Sequence, residues 1–226
     1  MKRPIALDVL CLFLATALLS ACDNFHTVQE GQLYRSAQMN GNGFKKYIDK
    51  HDIKTVINLR GESRGADWWE EEHAAVLSRG AQHLNIRMGA RSIPRRANLM
   101  ALLDAFRDAP RPILVHCQGG ADRSGEAAAI WGIDQMGDSP GDAEKKHLSL
   151  QYRHIGWGDY FAKDYFIENV YRGEAWARSS YFPCEANYDY FGKSLCGRSA
   201  ALDEEPENRD SFLEYNDVDV PEWMMN

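Results

Sequence analysis

The sequence predicts an α/β fold in which a mostly parallel central sheet is flanked by helices. Two observations predict it. Short apolar runs, at residues 55–57 and 113–115, are typical of strands that are buried on both faces. Longer stretches between them repeat apolar residues at helical spacing. Strands that alternate with helices pair in parallel, and ligands of such sheets bind beyond the carboxyl ends of the strands.

Four strands are predicted, over residues 32–36, 54–59, 82–87 and 113–116. The second contains Thr55, Val56 and Ile57, and the third alternates Leu84 and Ile86. The last is the apolar run that leads into His116, so it is expected at the centre of the sheet.

Six helices are predicted from apolar residues that recur on one face. The first three cover residues 43–51, 67–78 and 94–109, where Gly80 closes the second and prolines flank the third. The others cover residues 124–136, 142–152 and 159–172. The aromatic residues in and between these helices, Trp157 included, are expected to pack in the core or along helix faces. His147 and His154 are expected to serve in packing or capping.

Residues 116–125, with the sequence HCQGGADRSG, lie between the last predicted strand and the helix that follows it. The loop amides of residues 118–123 and the helix dipole would hold a tetrahedral anion, and Arg123 would bind two of its oxygens. The same field favours the thiolate of Cys117, the nucleophilic form. The pattern therefore predicts a hydrolase of phosphate monoesters.

This segment resembles the His-Cys-x-x-Gly-x-x-Arg-Ser signature of the cysteine-dependent protein tyrosine and dual-specificity phosphatases. Residues 31–38 and 53–62 resemble segments of small bacterial and fungal members, and the resemblance covers roughly residues 28–175. It implies a tyrosine/dual-specificity phosphatase-like fold and a phosphocysteine intermediate. The resemblance also implies that Cys117 is the nucleophile and that Ser124 eases departure of the sulfur from phosphorus. The phosphate-binding loop is formed by Gln118, Gly119, Gly120, Ala121, Asp122 and Arg123.

The chain departs from the family pattern in its general acid. Most members carry an aspartate on a separate loop some thirty residues before the cysteine, whereas residues 87–96 contain no carboxylate. The resemblance to bacterial members with Cys-x4-Asp-Arg loops makes Asp122 the candidate acid, the alternative being that Asp122 only braces the loop. Glu62 and residues 70–72 are weaker candidates. His116 is expected to support the loop from outside the pocket, and Gly119 and Gly120 to adopt positive φ.

The arginines admit two interpretations. Arg87, Arg91, Arg95 and Arg96 either surround the mouth of the pocket or form a solvated turn and helix start. Arg60 is expected to form a supporting ion pair with Glu62 rather than to contact the substrate.

The N-terminus predicts export and lipidation. Lys2 and Arg3 precede an apolar stretch, residues 9–19, that is too short to span a bilayer. The sequence LSAC at residues 19–22 resembles the lipobox of bacterial lipoproteins, in which the cysteine, here Cys22, is lipidated after cleavage. A plain cleaved signal and an uncleaved anchor are the alternatives. The protein is thus expected in the bacterial periplasm on a lipid anchor, and Asp23 favours the inner membrane.

The remaining cysteines fit an oxidising compartment. Cys184 and Cys196 are predicted to form a disulfide, worth about 2–4 kcal/mol for a short loop, the alternative being two unpaired thiols. The predicted organisation is a lipoprotein signal peptide (1–21), a phosphatase domain (22–178), a Cys-containing extension (179–202) and an acidic tail (203–226). The tail has a formal charge of −8 and the chain one of −7, so residues 22–202 are formally neutral once residues 1–21, at +1, are set aside.

This charge distribution excludes some partners and leaves the substrate open. A neutral catalytic region provides no general basic field for nucleic acid, and no spacing of His and Cys matches a metal site, so neither a metal nor a cofactor is expected. The loop contains no lysine, which favours a phosphotyrosine, phosphoserine or phosphothreonine of a protein. A lipid or small-molecule phosphate ester at the membrane surface is the alternative. Less favoured are a non-catalytic phospho-binding module and a sulfurtransferase or arsenate reductase.

Overall fold

The computed structural model describes residues 23–182, which form an α/β fold with a five-stranded sheet. The strands are β1 (His26–Gln29), β2 (Leu33–Ser36), β3 (Thr55–Asn58), β4 (Gln82–Asn85) and β5 (Ile113–His116), in the spatial order β1-β2-β5-β3-β4. Strands β2, β5, β3 and β4 are parallel, and β1 pairs antiparallel with β2 at the edge. The predicted fold class is confirmed, with the short polar strand β1 as an unpredicted addition.

Seven α-helices cover the sheet. They are α1 (Gly41–His51), α2 (Asp67–Leu77), α3 (Arg96–Asp108), α4 (Asp122–Met136), α5 (Pro140–His147), the single turn α6 (Ala162–Tyr165) and α7 (Glu174–Ser180). Short 3-10 segments occupy Leu150–Tyr152 and Gly158–Phe161, and a π-helical segment, Phe166–Val170, follows α6. Within residues 23–182 no helix combines the length and the apolar character that a bilayer span requires.

Side chains of the central strand alternate between two cores. Ile113 and Val115 face the larger core, which α3, α4 and the C-terminal segments complete, while Leu114 faces a smaller core that includes Phe44 and Val76 of α1 and α2. All three strand residues are fully buried. The period of two therefore explains why β5 reads as a continuous apolar run.

Local signals explain several helix ends. Asn40 caps α1 by accepting a hydrogen bond from Gly43 N, and Ser139 caps α5 through Asp142 N, directly before Pro140. The C-terminus of α4 is marked by Gly137, which adopts a φ of +75°, the left-handed conformation that ends a helix.

The helices predicted over residues 142–152 and 159–172 are wrong in extent. Helix α5 ends at His147, because the carbonyl of His147 accepts a hydrogen bond from Arg35 Nη1 at 2.8 Å instead of continuing the helix. Arg153 then takes a left-handed φ of +64°. The second stretch changes from 3-10 to α to π geometry, so its residues share no regular face.

The packing expected for Trp157 is also wrong. Its side chain is 83% exposed, because it lies on a loop between two short 3-10 segments, where no helical face turns it inward. In contrast Trp131, on α4, is buried and packs edge-on against Phe106.

The parallel strands end in register. Ser36 of β2, His116 of β5, Asn58 of β3 and Asn85 of β4 are neighbours across the sheet. The loop that follows β5 therefore starts at the centre of this edge, between strands on both sides. This is the position at which open α/β sheets bind ligands.

Candidate active site

Residues 117–121 link the end of β5 to the start of α4. Cys117, at the start of this loop, is 2% exposed, and its Sγ lies 3.6 Å from Ser124 Oγ on the first turn of α4. The sulfur thus faces a hydroxyl that can donate to it, and the helix N-terminus adds unpaired amides and a positive dipole end. The predicted partners Cys117, Ser124 and the loop are brought together.

Four consecutive loop carbonyls are tied to donors outside the loop. Gln118 O accepts from Gln38 N at 3.2 Å, and Gly119 O accepts from Asn24 Nδ2 at 3.0 Å. The carbonyls of residues 120 and 121 both accept from Arg35 Nη2, at 2.9 and 3.0 Å. Because the C=O and N–H of one planar peptide point in opposite directions, the amides of residues 119–122 turn away from these donors. The loop can therefore present its amides to one anion.

Arg35 is the main support of this arrangement, through its hydrogen bonds to two of the four carbonyls. It is 1% exposed, and its guanidinium lies 4.2 Å from the ring centroid of Tyr152. Burial lowers the pKa of Arg35 to about 10, and its electrostatic interaction with Cys117 opposes that shift. Arg35 is therefore still a cation at neutral pH, and it adds positive charge behind the loop.

Only one of the two loop glycines requires its special conformation. Gly120 has a φ of +69°, and a Cβ there would lie 2.6 Å from Ala37 N and 2.8 Å from Ser36 C. Gly119 was expected to adopt positive φ too, but it does not, and a Cβ at Gly119 would meet nothing within 4 Å. The close approach of the loop to the end of β2 thus falls on Gly120 alone.

Two further guanidinium groups, those of Arg123 and Arg60, lie near the loop. Arg123 Nη1 donates to Leu59 O at 3.3 Å, and its Nε is buried without a hydrogen-bond partner among the described residues. Arg60 donates to Gln38 Oε1 at 2.6 Å and stacks on Trp68, 3.3 Å from the ring centroid. Burial, and then the positive charge of Arg123, lower the pKa of Arg60. Arg60 is therefore held close to Arg123, as a second cation for an anionic ligand.

This position of Arg60 corrects the expected ion pair with Glu62. Glu62 instead accepts from Arg64, two residues further along the chain. Arg96, one of the arginines considered for the mouth of the pocket, donates to the carbonyls of Ala177 and Tyr181 and so anchors α7. Arg91 contacts Tyr160, with its Nη2 3.1 Å from the tyrosine hydroxyl.

His116 lies behind the loop, on the side of the smaller core. Its Nε2 is 2.7 Å from Glu72 Oε1, and the same oxygen is 2.8 Å from His83 Nε2. Gln38 donates to the other carboxylate oxygen at 2.7 Å. Glu72 is fully buried; burial would raise its pKa, but His116 and His83 outweigh that effect and lower it. Glu72 thus joins α2, β4 and the end of β5, and it is too enclosed to be the general acid.

We expect Glu72→Ala to destabilise the fold by about 3–5 kcal/mol, because it leaves two buried imidazoles and an amide without their acceptor. Glu72→Gln, which keeps an oxygen acceptor, should cost less. Urea unfolding followed by far-UV circular dichroism measures both. A loss below about 1 kcal/mol for the alanine variant would contradict this role for the network.

Asp122 is held by His154, which was expected to serve in packing or capping. Asp122 Oδ1 lies 2.8 Å from His154 Nδ1, and His154 Nε2 lies 2.9 Å from Asp164 Oδ2. Burial would lower the pKa of His154, but its hydrogen bonds to Asp122 and Asp164 raise it to about 9. The side chain of Asp122 keeps 22% exposure, whereas that of His154 has 1%. A cationic His154 therefore carries a proton beside Asp122, the carboxylate on the exposed side of the pair.

This raised pKa predicts a pH-dependent stability. A group whose pKa is higher in the folded state stabilises fully below its unfolded pKa, about 6.5, and that contribution is lost as pH rises to about 9. We expect the free energy of unfolding to fall by up to ~3 kcal/mol across this window. In His154→Gln the fall should largely disappear. Urea unfolding at pH 6, 7.5 and 9 tests this, and parallel profiles for the two proteins would contradict it.

A second buried pair lies next to this one. Glu126, one turn after Asp122, is 2.7 Å from Lys163 Nζ, and Lys163 also donates to Ser92 O at 2.6 Å. Burial raises the pKa of Glu126 to about 7, against the opposing charge of Lys163. Through Ser92 this pair holds the loop over residues 87–95. That loop supplies no carboxylate. Asp122, the first residue of α4, is the acidic side chain that directly follows the catalytic loop.

The other acidic candidates have structural partners. Glu70 accepts from Gly65 N, and Glu71 lies 3.4 Å from Gly41 N. Among residues 23–182 no group of three or more His, Cys, Asp or Glu side chains is arranged to hold a metal ion. Cys22, Cys184 and Cys196 lie outside the described residues, as do the predicted signal peptide and the acidic tail.

A family model and several solved structures resemble this chain. A family model described as "DSP-PTPase phosphatase fused to NAD+ Kinase" matches residues 14–155. No curated protein matches the sequence. The solved structures that share the fold include one yeast protein and two bacterial proteins.

The core catalytic domain of the inositol pyrophosphate phosphatase SIW14 from S. cerevisiae, in complex with citrate, is 20% identical with a TM-score of 0.54, covering 66% of this chain and 85% of that one. A DUF442 protein from Shewanella putrefaciens is 19% identical with a TM-score of 0.53, covering 68% and 92%. TpbA from P. aeruginosa, as a variant in complex with phosphotyrosine, is 18% identical with a TM-score of 0.50, covering 65% and 84%.

At these identities the structural likeness concerns the fold alone. The family model, by contrast, spans more than half of the chain and includes the whole catalytic loop. The protein therefore belongs to this family of phosphatase domains, within the cysteine-dependent tyrosine and dual-specificity phosphatase superfamily.

Proposed function

We propose that the protein hydrolyses phosphate monoesters through a phosphocysteine intermediate, with Cys117 as nucleophile and Asp122 as general acid and base. One observation carries this proposal. The outward hydrogen bonds of four loop carbonyls leave the loop amides directed to one side, beside Cys117 and the α4 N-terminus. Such an array stabilises a tetrahedral phosphate dianion and its transition state.

The first step transfers the phosphoryl group to sulfur. The Cys117 thiolate gives an electron pair to phosphorus, the bond from phosphorus to the alcohol oxygen breaks, and that oxygen takes a proton from Asp122. The cationic His154, whose Nδ1 lies 2.8 Å from Asp122 Oδ1, supplies that proton to Asp122, so Asp122 ends the step as a carboxylate and His154 as a neutral imidazole. The proton that Asp122 takes up in the second step returns to His154. Arg123 and Arg60 balance the charge on the phosphoryl oxygens.

The second step releases phosphate. A water attacks phosphorus and passes its proton to the Asp122 carboxylate, while the bond from phosphorus to sulfur breaks and returns the Cys117 thiolate. Ser124 Oγ, 3.6 Å from the sulfur, donates to the departing thiolate. His154 and Asp164 position Asp122 throughout, without touching the substrate.

The proposed substrates are phosphotyrosine, phosphoserine or phosphothreonine residues of proteins. The catalytic loop has no lysine, which suits a single monoester better than a polyphosphorylated ligand. A lipid or small-molecule phosphate ester is the second candidate, which the predicted lipid anchor favours. The lipidated protein should be screened against phosphopeptides, phosphoinositides and glycerophospholipid phosphates in parallel, with Cys117→Ser as the blank. Turnover of none of them, nor of para-nitrophenyl phosphate, would overturn the proposed activity.

We further propose that the mature chain begins at a lipidated Cys22 and faces the periplasm, with Asp23 favouring the inner membrane. Support comes from the lipobox-like sequence at residues 19–22. Incorporation of radiolabelled palmitate should be lost in Cys22→Ala. Label that persists in this variant would contradict lipidation at Cys22.

A further inference from the structure

Three large apolar side chains are exposed on one segment, residues 150–157. Leu150, Ile155 and Trp157 are 76%, 60% and 83% exposed, and together they are called the apolar rim here. The other large apolar side chains that are exposed within residues 23–182 reach at most 46%, and they lie on separate elements: Leu77, Met136 and Phe182. A concentration of exposed apolar side chains on one segment marks a contact surface.

This segment borders the catalytic loop. His154, between Tyr152 and the exposed Ile155, is hydrogen-bonded to Asp122. The carbonyl of Tyr152 accepts from Asn24 Nδ2 at 3.1 Å, and the same amide group binds Gly119 O of the catalytic loop. The apolar rim is therefore attached to the loop from two directions.

Asp23, the first described residue, is also held against the rest of the domain by hydrogen bonds. Asp23 O accepts from Ala37 N at 2.7 Å, and Asp23 Oδ2 lies 3.3 Å from Tyr47 Oη. The proposed lipid anchor, at Cys22, is two residues before Asn24, whose side chain binds both the catalytic loop and the segment of the apolar rim.

We propose that the apolar rim docks into the surface of a lipid bilayer and turns the catalytic pocket toward the phospholipid headgroups. The inference rests on the proposed lipidation and phosphatase function. Trp is suited to the boundary between headgroups and acyl chains, since its ring is apolar and its N–H is polar. The exposed Arg153, within the segment, and Arg91, which contacts Tyr160 beside it, supply cations for anionic headgroups. The lipid anchor alone sets proximity, whereas the apolar rim sets orientation.

The test uses the full lipidated protein in vesicles of phosphatidylethanolamine, phosphatidylglycerol and phosphatidic acid. Their acyl chains carry bromine, which quenches tryptophan fluorescence on contact. We expect quenching in the wild type and a marked loss of it in Trp157→Phe. Trp157→Ser and Leu150→Ser should lower hydrolysis of phosphatidic acid in the vesicles at least about fivefold. Their hydrolysis of soluble para-nitrophenyl phosphate should change less than twofold. Leu77→Ser, an exposed apolar residue on α2, is the matched control and should alter neither activity.

Each other outcome is decisive. Equal quenching of the wild type and Trp157→Phe would overturn the docking surface, even if the enzyme is active. A selective loss of phosphotyrosyl-peptide hydrolysis in Trp157→Ser, with vesicle hydrolysis unchanged, would reassign the apolar rim to a protein substrate. Failure of the phosphatase proposal has a different signature: no turnover of any substrate, with quenching still able to report docking.

Discussion

Cys117→Ser is expected to lower kcat for para-nitrophenyl phosphate by about four orders of magnitude or more. A serine hydroxyl remains protonated at neutral pH and is a far weaker nucleophile than a thiolate. The replacement changes one atom at a 2% exposed position, so the fold and the amide array should be retained. Steady-state hydrolysis at pH 6–7 measures the loss.

The control for this variant is phosphate binding. Cys117→Ser should still bind inorganic phosphate or vanadate, because Arg123 and the loop amides are unchanged. An Arg123→Ala variant should instead lose this binding, since it removes the guanidinium fork. If Cys117→Ser kept more than about a tenth of the wild-type rate, cysteine-based catalysis would be contradicted.

Asp122→Asn is expected to lower kcat by about 10²–10³-fold with phenyl phosphate, whose leaving group needs a proton. With good leaving groups, such as a dinitrophenolate, the loss should be less than about tenfold in the first step. The amide oxygen can still accept from His154 Nδ1, so the variant keeps the local hydrogen bond and removes the proton carrier. Rapid-mixing kinetics with a series of aryl phosphates separates these cases.

The leaving-group dependence identifies the role of Asp122. A brace of the loop, the alternative that the sequence left open, would make the loss equal across leaving groups. His154→Gln serves as the matched comparison: it should show a smaller loss with the same dependence, and a shifted pH profile of kcat. Equal losses across the series would remove Asp122 from the role of general acid.

The sequence predicted the elements that carry strong local signals. The apolar run at residues 113–115, the glycines at 119 and 120 and the apolar face of α4 specified strand, loop and helix, because these signals depend on neighbouring residues. These local signals failed where the backbone conformation depends on a contact with a residue far away in the sequence. Helix α5 stops at His147 because Arg35, 112 residues earlier, takes its carbonyl.

The residues of the catalytic loop could be predicted from the sequence, whereas the residues that support the loop could not. Cys117, Arg123 and Ser124 lie within one segment, so their spacing revealed them. Asn24 contacts the loop from 95 residues away, Arg35 from 85, and His154 reaches Asp122 across 32. No periodicity encodes such contacts. An unusual signal was nonetheless present: the absence of a carboxylate from residues 87–96 indicated that the proton donor had to lie elsewhere.

The most direct measurement is to trap the covalent intermediate. The enzyme would be mixed with a radiolabelled phosphate monoester and quenched with denaturant within milliseconds, and the labelled peptide would be sequenced. We predict phosphate on Cys117, absent from Cys117→Ser and released more slowly in Ser124→Ala. Turnover without any labelled protein, or label on another residue, would contradict the account.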